Sequence, residues 1–195
     1  MNRQTIKERI ERYKRFYADE RPQTLIQVAV TGQGPLKRPG SIAHYDFDNP
    51  AQRQQWLRDI YDEVITENAR HPCDDDYIPS AKILFNPAFT VLIKDRPLHC
   101  SGNGVTAEVA MSRLEEYRDW APKLDANNRW WQLYVEAKQY MAERLDELGF
   151  VTPIYHSGPL DLAFELRGTD LYFDLADKPE EVRGFLQFLT DFTLD

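Results

Sequence analysis

Apolar residues recur every three or four positions along several stretches of the chain, and this spacing is typical of a helix with one buried face. An opening helix over about residues 4–19 is indicated by the T-x-x-E capping box at Thr5–Glu8 and the apolar positions that follow it. The same reasoning predicts later helices that begin and end at helix punctuation. These helices cover Pro50 to about Pro72, 128–148, 159–166, 170–176 and a last helix that begins near Asp177 and Glu180.

Short apolar runs between the helices predict strands. Thr24–Val30 and Phe150–Tyr155 contain β-branched residues, as expected of strands that are buried on both faces. Ile83–Phe85 and Phe89–Ile93 are further candidates, in a region that prolines interrupt. Alternation of helix and strand along a chain is typical of a parallel sheet, so the sequence predicts an α/β protein.

Composition excludes several classes of partner. The chain has 195 residues, a formal net charge of -8 and two cysteines. An acidic chain is repelled by a phosphate backbone, so we expect no nucleic-acid partner. No apolar run approaches the ~20 residues that span a bilayer, and the charged amino terminus lacks the apolar core of a secretory signal. We therefore expect a cytoplasmic protein with reduced thiols and no membrane partner.

A series of motifs in the carboxyl-terminal part of the chain points to a known family. Gly158–Thr169 reads GPLDLAFELRGT and Asp174–Val182 reads DLADKPEEV, preceded by Asn128–Trp131, a helix and a turn at Gly149. In this order the segments resemble the uroporphyrinogen decarboxylase superfamily, over about residues 125–195. The resemblance implies the amino-terminal portion of a (β/α)8 barrel with an extra N-terminal helix. Residues 1–195 would then form one domain whose barrel is not closed within the chain.

The resemblance also implies a function at the mouth of the barrel. Members of the superfamily decarboxylate tetrapyrroles without a cofactor, or transfer methyl groups between corrinoids and thiols. We therefore expect a small-molecule ligand, which is a tetrapyrrole, a corrinoid or a smaller carboxylated compound, and cofactor-independent decarboxylase-type chemistry. The alternatives are a corrinoid-linked methyltransferase whose zinc site lies outside these residues, and a non-catalytic binding protein. Characterised members also make a homodimer plausible.

Candidate site residues in the first half of the chain come from this resemblance. The family places a substrate-facing aspartate at the mouth end of its second strand, and Asp76 is the nearest match. Its carboxylate would bind pyrrole N–H groups or transfer a proton, and the alternative is a charged surface loop. Lys37 and Arg38 are the candidate substrate-binding residues after the first strand. They replace the arginine-rich motif of the decarboxylases, which counts against uroporphyrinogen as the substrate.

Further candidates follow the last predicted strand. His156 would lie on the catalytic rim, where an imidazole that titrates near neutral pH suits proton transfer, and its alternative role is to cap the next helix. Tyr155, Asp161 and Arg167 are candidate substrate contacts. For Tyr155 the alternative is a place in the core, and for Asp161 it is an interaction with the helix dipole. For Arg167 the alternative is an ion pair with a nearby acid that fixes the turn at Gly168.

A zinc site within the chain is not expected. His71, Cys73, His99 and Cys100 are suitable residue types, but their spacing is not that of a known zinc finger. The sequence therefore predicts no metal and no cofactor in these residues, with zinc or a corrinoid required only by the methyltransferase alternative.

Overall fold

The computed structural model describes residues 3–18, 45–70, 77–78, 80–81, 83, 88–101, 104–145, 150–151 and 157–194. These residues form seven α-helices, a 3-10 helix and four short strands. The helices are α1 (Arg3–Ala18), α2 (Pro50–Arg70), α3 (Ala88–Ile93), the 3-10 helix (Leu114–Asp119), α4 (Arg129–Leu145), α5 (Pro159–Arg167), α6 (Asp170–Asp177) and α7 (Pro179–Leu194). The strands are β1 (Ser80–Ala81), β2 (Leu98–Ser101), β3 (Gly104–Ala107) and β4 (Phe150–Val151).

The chain divides into two compact units, residues 1–83 with 136–153 and residues 84–135 with 154–195. In the first unit, the start of α2 is capped by Asn49, whose side-chain oxygen accepts a 3.0 Å hydrogen bond from the backbone N–H of Ala51. The buried side chains of this unit recur at helical spacing, as expected of amphipathic helices. They include Ile6, Trp56, Leu57, Ile60, Val64, Ala137, Met141 and Leu145.

The second unit is built around α7, which packs against α5, α6 and the 3-10 helix. Val182, Phe185, Leu189 and Phe192 form its buried stripe, with the helical spacing that the sequence predicts. The ring of Phe185 lies 5.1 Å, between centroids, from that of Tyr117 on the 3-10 helix. This apolar core holds α5 in place, and α5 in turn packs against α3.

All six predicted helices are confirmed, and their described ends lie within a few residues of the predicted ones. α1, α2, α4, α5, α6 and α7 all occupy segments in which apolar spacing and capping residues predict helices. The strand predicted at Thr24–Val30 lies outside the described residues, as do Leu84–Phe85 and residues 152–155 of the other predicted strands.

The predicted fold class is wrong: the structure is mostly helical and has no (β/α)8 barrel in the residues that it describes. Phe89–Ile93, a predicted strand, belongs to helix α3, because a short apolar run fits a buried helix and a buried strand equally well. The parallel pairing of β1 with β4 joins only two residues on each side. β2 and β3 pair antiparallel, which the wall of such a barrel does not allow.

No helix in the described ranges is both long and apolar enough to span a membrane.

Candidate functional site

Buried arginines are the unusual feature of the second unit. Arg96 and Arg167 expose only 6% and 8% of their surface. Buried charges cost free energy unless they are paired and hydrogen-bonded, so each of these guanidinium groups needs partners. The partners of the two arginines differ in kind and in number.

Arg167 lies at the end of α5, and both its Nε and its Nη1 donate hydrogen bonds. Its Nε donates to Asp174 Oδ2 at 2.7 Å, and its Nη1 donates to Asp170 Oδ2 at 3.1 Å and to the backbone oxygen of Ser112 at 2.9 Å. The hydrogen bond to Asp174 is the largest influence that raises the pKa of Arg167, and Asp170 adds to it. The ion pair with nearby acids, which the sequence offers as the alternative for Arg167, is thus present, and the predicted substrate contact of Arg167 stays a prediction.

The turn at Gly168 places α6 where its aspartates reach Arg167. Its φ is +72° and its ψ is -156°, a backbone conformation that is almost restricted to glycine. A Cβ at this position would lie 3.0 Å from Cγ2 of Val109. The sharp turn allows α6 to begin at once and to present Asp170 and Asp174 to Arg167.

Arg96 lies between α3 and β2 and has a single hydrogen bond to the residues that the structure describes. Its Nη2 donates to Oγ1 of Thr90 at 2.6 Å. Its Nε and Nη1 are buried and have no hydrogen-bond partner in the part of the chain that the structure describes. Burial lowers the pKa of Arg96 to about 10, while the charge of Glu165 acts in the opposite direction. The guanidinium therefore stays positively charged at neutral pH, and the N–H groups of its Nε and Nη1 can donate further hydrogen bonds.

Thr90 and Glu165 complete what we call the Arg96 cluster. Thr90 is fully buried on α3, and its hydroxyl accepts the hydrogen bond from Arg96. Glu165 lies on α5, which packs against α3. Burial raises the pKa of Glu165, and the Thr90 hydroxyl and the charge of Arg96 partly offset this effect. Asp161, one turn earlier on α5, adds a negative charge that also raises it. Arg96 is thus a cation whose Nε and Nη1 have no partner among the described residues, and it lies close to Glu165, a carboxyl whose pKa is raised.

The segment that carries Arg96 is held on both sides. Asp95 accepts a 3.2 Å hydrogen bond from Trp130 Nε1, and the side chain of Asn128 donates to the backbone oxygen of Val91 at 3.0 Å. On the other side, the backbone N–H of Glu108 donates to the oxygen of Pro97 at 3.4 Å. These anchors fix the backbone around Arg96, which is a requirement of a preorganised binding site.

Two of the candidates predicted from the sequence, Asp161 and Arg167, lie in the described residues. Lys37, Arg38, Asp76, Tyr155 and His156 lie outside the described residues. Asp161 is exposed in the first turn of α5, next to Glu165 of the Arg96 cluster, whereas Arg167 belongs to its own ion-pair network.

Metal-binding candidates can be followed only in part. His71 and Cys73 lie outside the described residues, and only the backbone of His99 and Cys100 is described, in β2. Over the described ranges no group of three or more His, Cys, Asp or Glu side chains is arranged to hold a metal.

Sequence reasoning did not identify Arg96 or its partners. The available signal was the apolar run Val91–Ile93, followed closely by Arg96 and Pro97. A cation this close to a buried run is most often at the surface, and only the packing of α3 against α5 distinguishes the two cases.

Comparisons of the chain with models of known protein families, with curated proteins and with solved structures give no match. The resemblance to the uroporphyrinogen decarboxylase superfamily therefore remains a sequence-based expectation.

Proposed function

We propose that the Arg96 cluster binds the carboxylate of a small organic anion. The observation that supports this proposal is a guanidinium with 6% exposure whose Nε and Nη1 have no partner among the described residues. A buried polar group without a hydrogen bond costs about 1–3 kcal/mol, and more when it is charged. A bound anion would satisfy these donors and neutralise the charge at the same time.

The chemistry of the cluster favours a carboxylate. Guanidinium N–H groups and carboxylate oxygens form short, charge-assisted hydrogen bonds. The acidic groups Glu165 and Asp161 nearby disfavour a ligand that carries several negative charges, such as a phosphate. A monocarboxylate is therefore the best match, and it belongs to the smallest of the three ligand classes that the resemblance implies.

The proposal concerns binding, which is the non-catalytic alternative among the functions expected from the sequence. The tetrapyrrole and corrinoid expectations depend on a barrel mouth, and the described part of the chain contains no barrel. Both residues predicted to be catalytic, Asp76 and His156, lie outside that part, so we assign no reaction step to the Arg96 cluster.

The experiment is a titration of the protein with acetate, followed by thermal unfolding and calorimetry, with chloride at equal ionic strength as the control. A ligand that binds only the folded protein stabilises it by mass action, by about 2.7 kcal/mol at one hundred times its Kd. We expect saturable stabilisation by acetate in the wild type and in Arg183→Met, whose side chain is 78% exposed and lies in the same unit. Arg96→Met is expected to lose this stabilisation.

The result that would overturn the proposal is equal stabilisation by acetate in Arg96→Met and in the wild type. An equal response to acetate and chloride would also overturn it, because that would indicate a general effect of ionic strength. Stronger stabilisation by inorganic phosphate than by acetate would contradict the assignment of the ligand as a monocarboxylate.

A further inference from the structure

Large apolar side chains are exposed at high density on α5 and α6. Leu160 and Phe164 on α5 and Tyr172, Phe173 and Leu175 on α6 are all exposed, Tyr172 to 64% and Phe173 to 69%. Single exposed apolar residues are ordinary, but a concentration of them within two consecutive short helices is typical of an interaction surface.

Leu160, Phe164 and Tyr172 are neighbours in space, and Phe173 follows Tyr172 directly on α6. Leu160 and Phe164 are one helical turn apart, and the ring of Phe164 lies 5.6 Å, between centroids, from the ring of Tyr172. Val109 is also exposed and lies beside Gly168, at the junction of the two helices. We call the group formed by Val109, Leu160, Phe164, Tyr172 and Phe173 the α5–α6 surface.

The exposed charged side chains on α5 and α6 themselves are negative. Between residues 157 and 177 the exposed charged side chains are those of Asp161, Asp170 and Asp177. The only base in this range, Arg167, is buried in its ion pairs. The next base along the chain, Lys178, is engaged with Glu115 at 2.9 Å. The surface therefore combines aromatic and aliphatic groups with acidic ones.

We infer that the α5–α6 surface binds a basic amphipathic helix of a partner protein. The apolar face of such a helix would pack on Phe164, Tyr172 and Phe173, while its lysines or arginines would pair with the surrounding aspartates. A second copy of this chain fits less well, because a twofold interface would place these acidic groups against each other. This inference stands on the surface alone and does not depend on the ligand of Arg96.

The probe for this surface is a synthetic amphipathic helix of leucine and lysine, labelled with a fluorophore and compared with its leucine–glutamate counterpart. We expect the lysine peptide to bind and to protect backbone amides of residues 157–177 from hydrogen exchange. Binding should weaken at least tenfold in the double variant Tyr172→Gln/Phe173→Gln. Asp177→Lys should weaken it several-fold, and added salt should weaken it further.

Tyr17→Gln is the matched control, because Tyr17 is 78% exposed and belongs to the first unit. Binding to this variant is expected to equal that of the wild type, and circular dichroism should show that all the variants keep their helices. Equal binding of the glutamate peptide would overturn the inference, as would protection of amides other than those of residues 157–177 and of the backbone next to Val109. So would a concentration-dependent dimer in sedimentation that the Tyr172→Gln/Phe173→Gln variant abolishes.

Discussion

Arg96 and Arg167 are similarly buried residues of the same unit, but their surroundings differ. Arg167 donates to two carboxylates and one backbone oxygen, whereas the only hydrogen-bond acceptor for Arg96 among the described residues is the hydroxyl of Thr90. Arg167 is part of a completed network, which is what a structural role requires. Arg96 retains buried donors without a partner, which is what a binding role requires.

The comparison teaches that burial alone does not identify a functional arginine. Removing the Arg167 side chain should lower the free energy of unfolding, because it breaks an ion-pair network. Removing the Arg96 side chain should raise it, because it relieves a desolvated charge. Four changes test this difference, in decreasing order of expected effect.

Arg167→Met should have the largest effect. The substitution leaves Asp174 buried without its partner, and breaking a buried ion pair in this way costs about 3–5 kcal/mol. Urea unfolding followed by circular dichroism measures the loss. The exposed control Arg183→Met should stay within about 0.5 kcal/mol of the wild type. A loss below about 1 kcal/mol in Arg167→Met would mean that the network is not structural.

Gly168→Ala should have the second largest effect. The backbone conformation of Gly168 costs other residues about 1–3 kcal/mol, and a Cβ there also crowds Val109. The control is Gly158→Ala, because Gly158 has an ordinary φ of -64° and no heavy atom within 4 Å of an added Cβ. Equal unfolding free energies for the two variants would show that the turn does not constrain the Arg167 network.

Arg96→Met should raise the free energy of unfolding by about 1 kcal/mol, because it removes buried donors that have no partner among the described residues. This outcome is opposite in sign to that of Arg167→Met, and urea unfolding without added carboxylate measures it. Destabilisation by more than about 2 kcal/mol would mean that Arg96 has a structural role, as Arg167 does, and that the two arginines do not differ in the way described.

The pH dependence should give the smallest effect. Burial raises the pKa of Glu165 in the folded protein, so the folded protein holds a proton that the unfolded chain has already released. The free energy of unfolding should therefore fall as the pH rises from the unfolded-state pKa of Glu165 through its folded-state pKa. Ionised Glu165 also competes with an anion for Arg96. Binding of trifluoroacetate, which stays ionised throughout, should therefore weaken as pH rises, and Glu165→Gln should remove this dependence. Calorimetry from pH 4 to pH 8 measures the affinity for trifluoroacetate in the wild type and in Glu165→Gln. Identical pH dependence of this affinity in the two proteins would contradict the prediction.

The sequence allowed most of the helices to be predicted, because their signals are local. Asn49 with Pro50 marks the start of α2, and the stripe from Val182 to Phe192 marks the buried face of α7, without reference to the rest of the chain. The predicted cap at Thr5 is wrong, because α1 begins at Arg3. The fold class was wrong because it required short apolar runs to be strands. Residues 89–93 show that such a run does not distinguish a buried helix from a strand.

The site was harder to predict because it depends on tertiary contacts. Arg167 could be assigned to an ion pair because acidic residues follow it within one or two helical turns. The partners of Arg96 lie on α3 and α5, and Glu165 is 69 residues away in the sequence, so no local pattern joins them. Only the packing shows that Nε and Nη1 of Arg96 have no hydrogen-bond partner among the described residues.

The most direct measurement is the proton–nitrogen correlation spectrum of the arginine Nε–H groups during a titration with acetate. The spectra of Arg96→Met and Arg167→Met identify the two buried resonances by their loss. We predict that the Arg96 resonance shifts saturably with acetate and that the Arg167 resonance, already bound to Asp174, does not move. An Arg96 resonance that does not respond, or that shifts no more than those of the exposed arginines, would contradict the binding role of the Arg96 cluster.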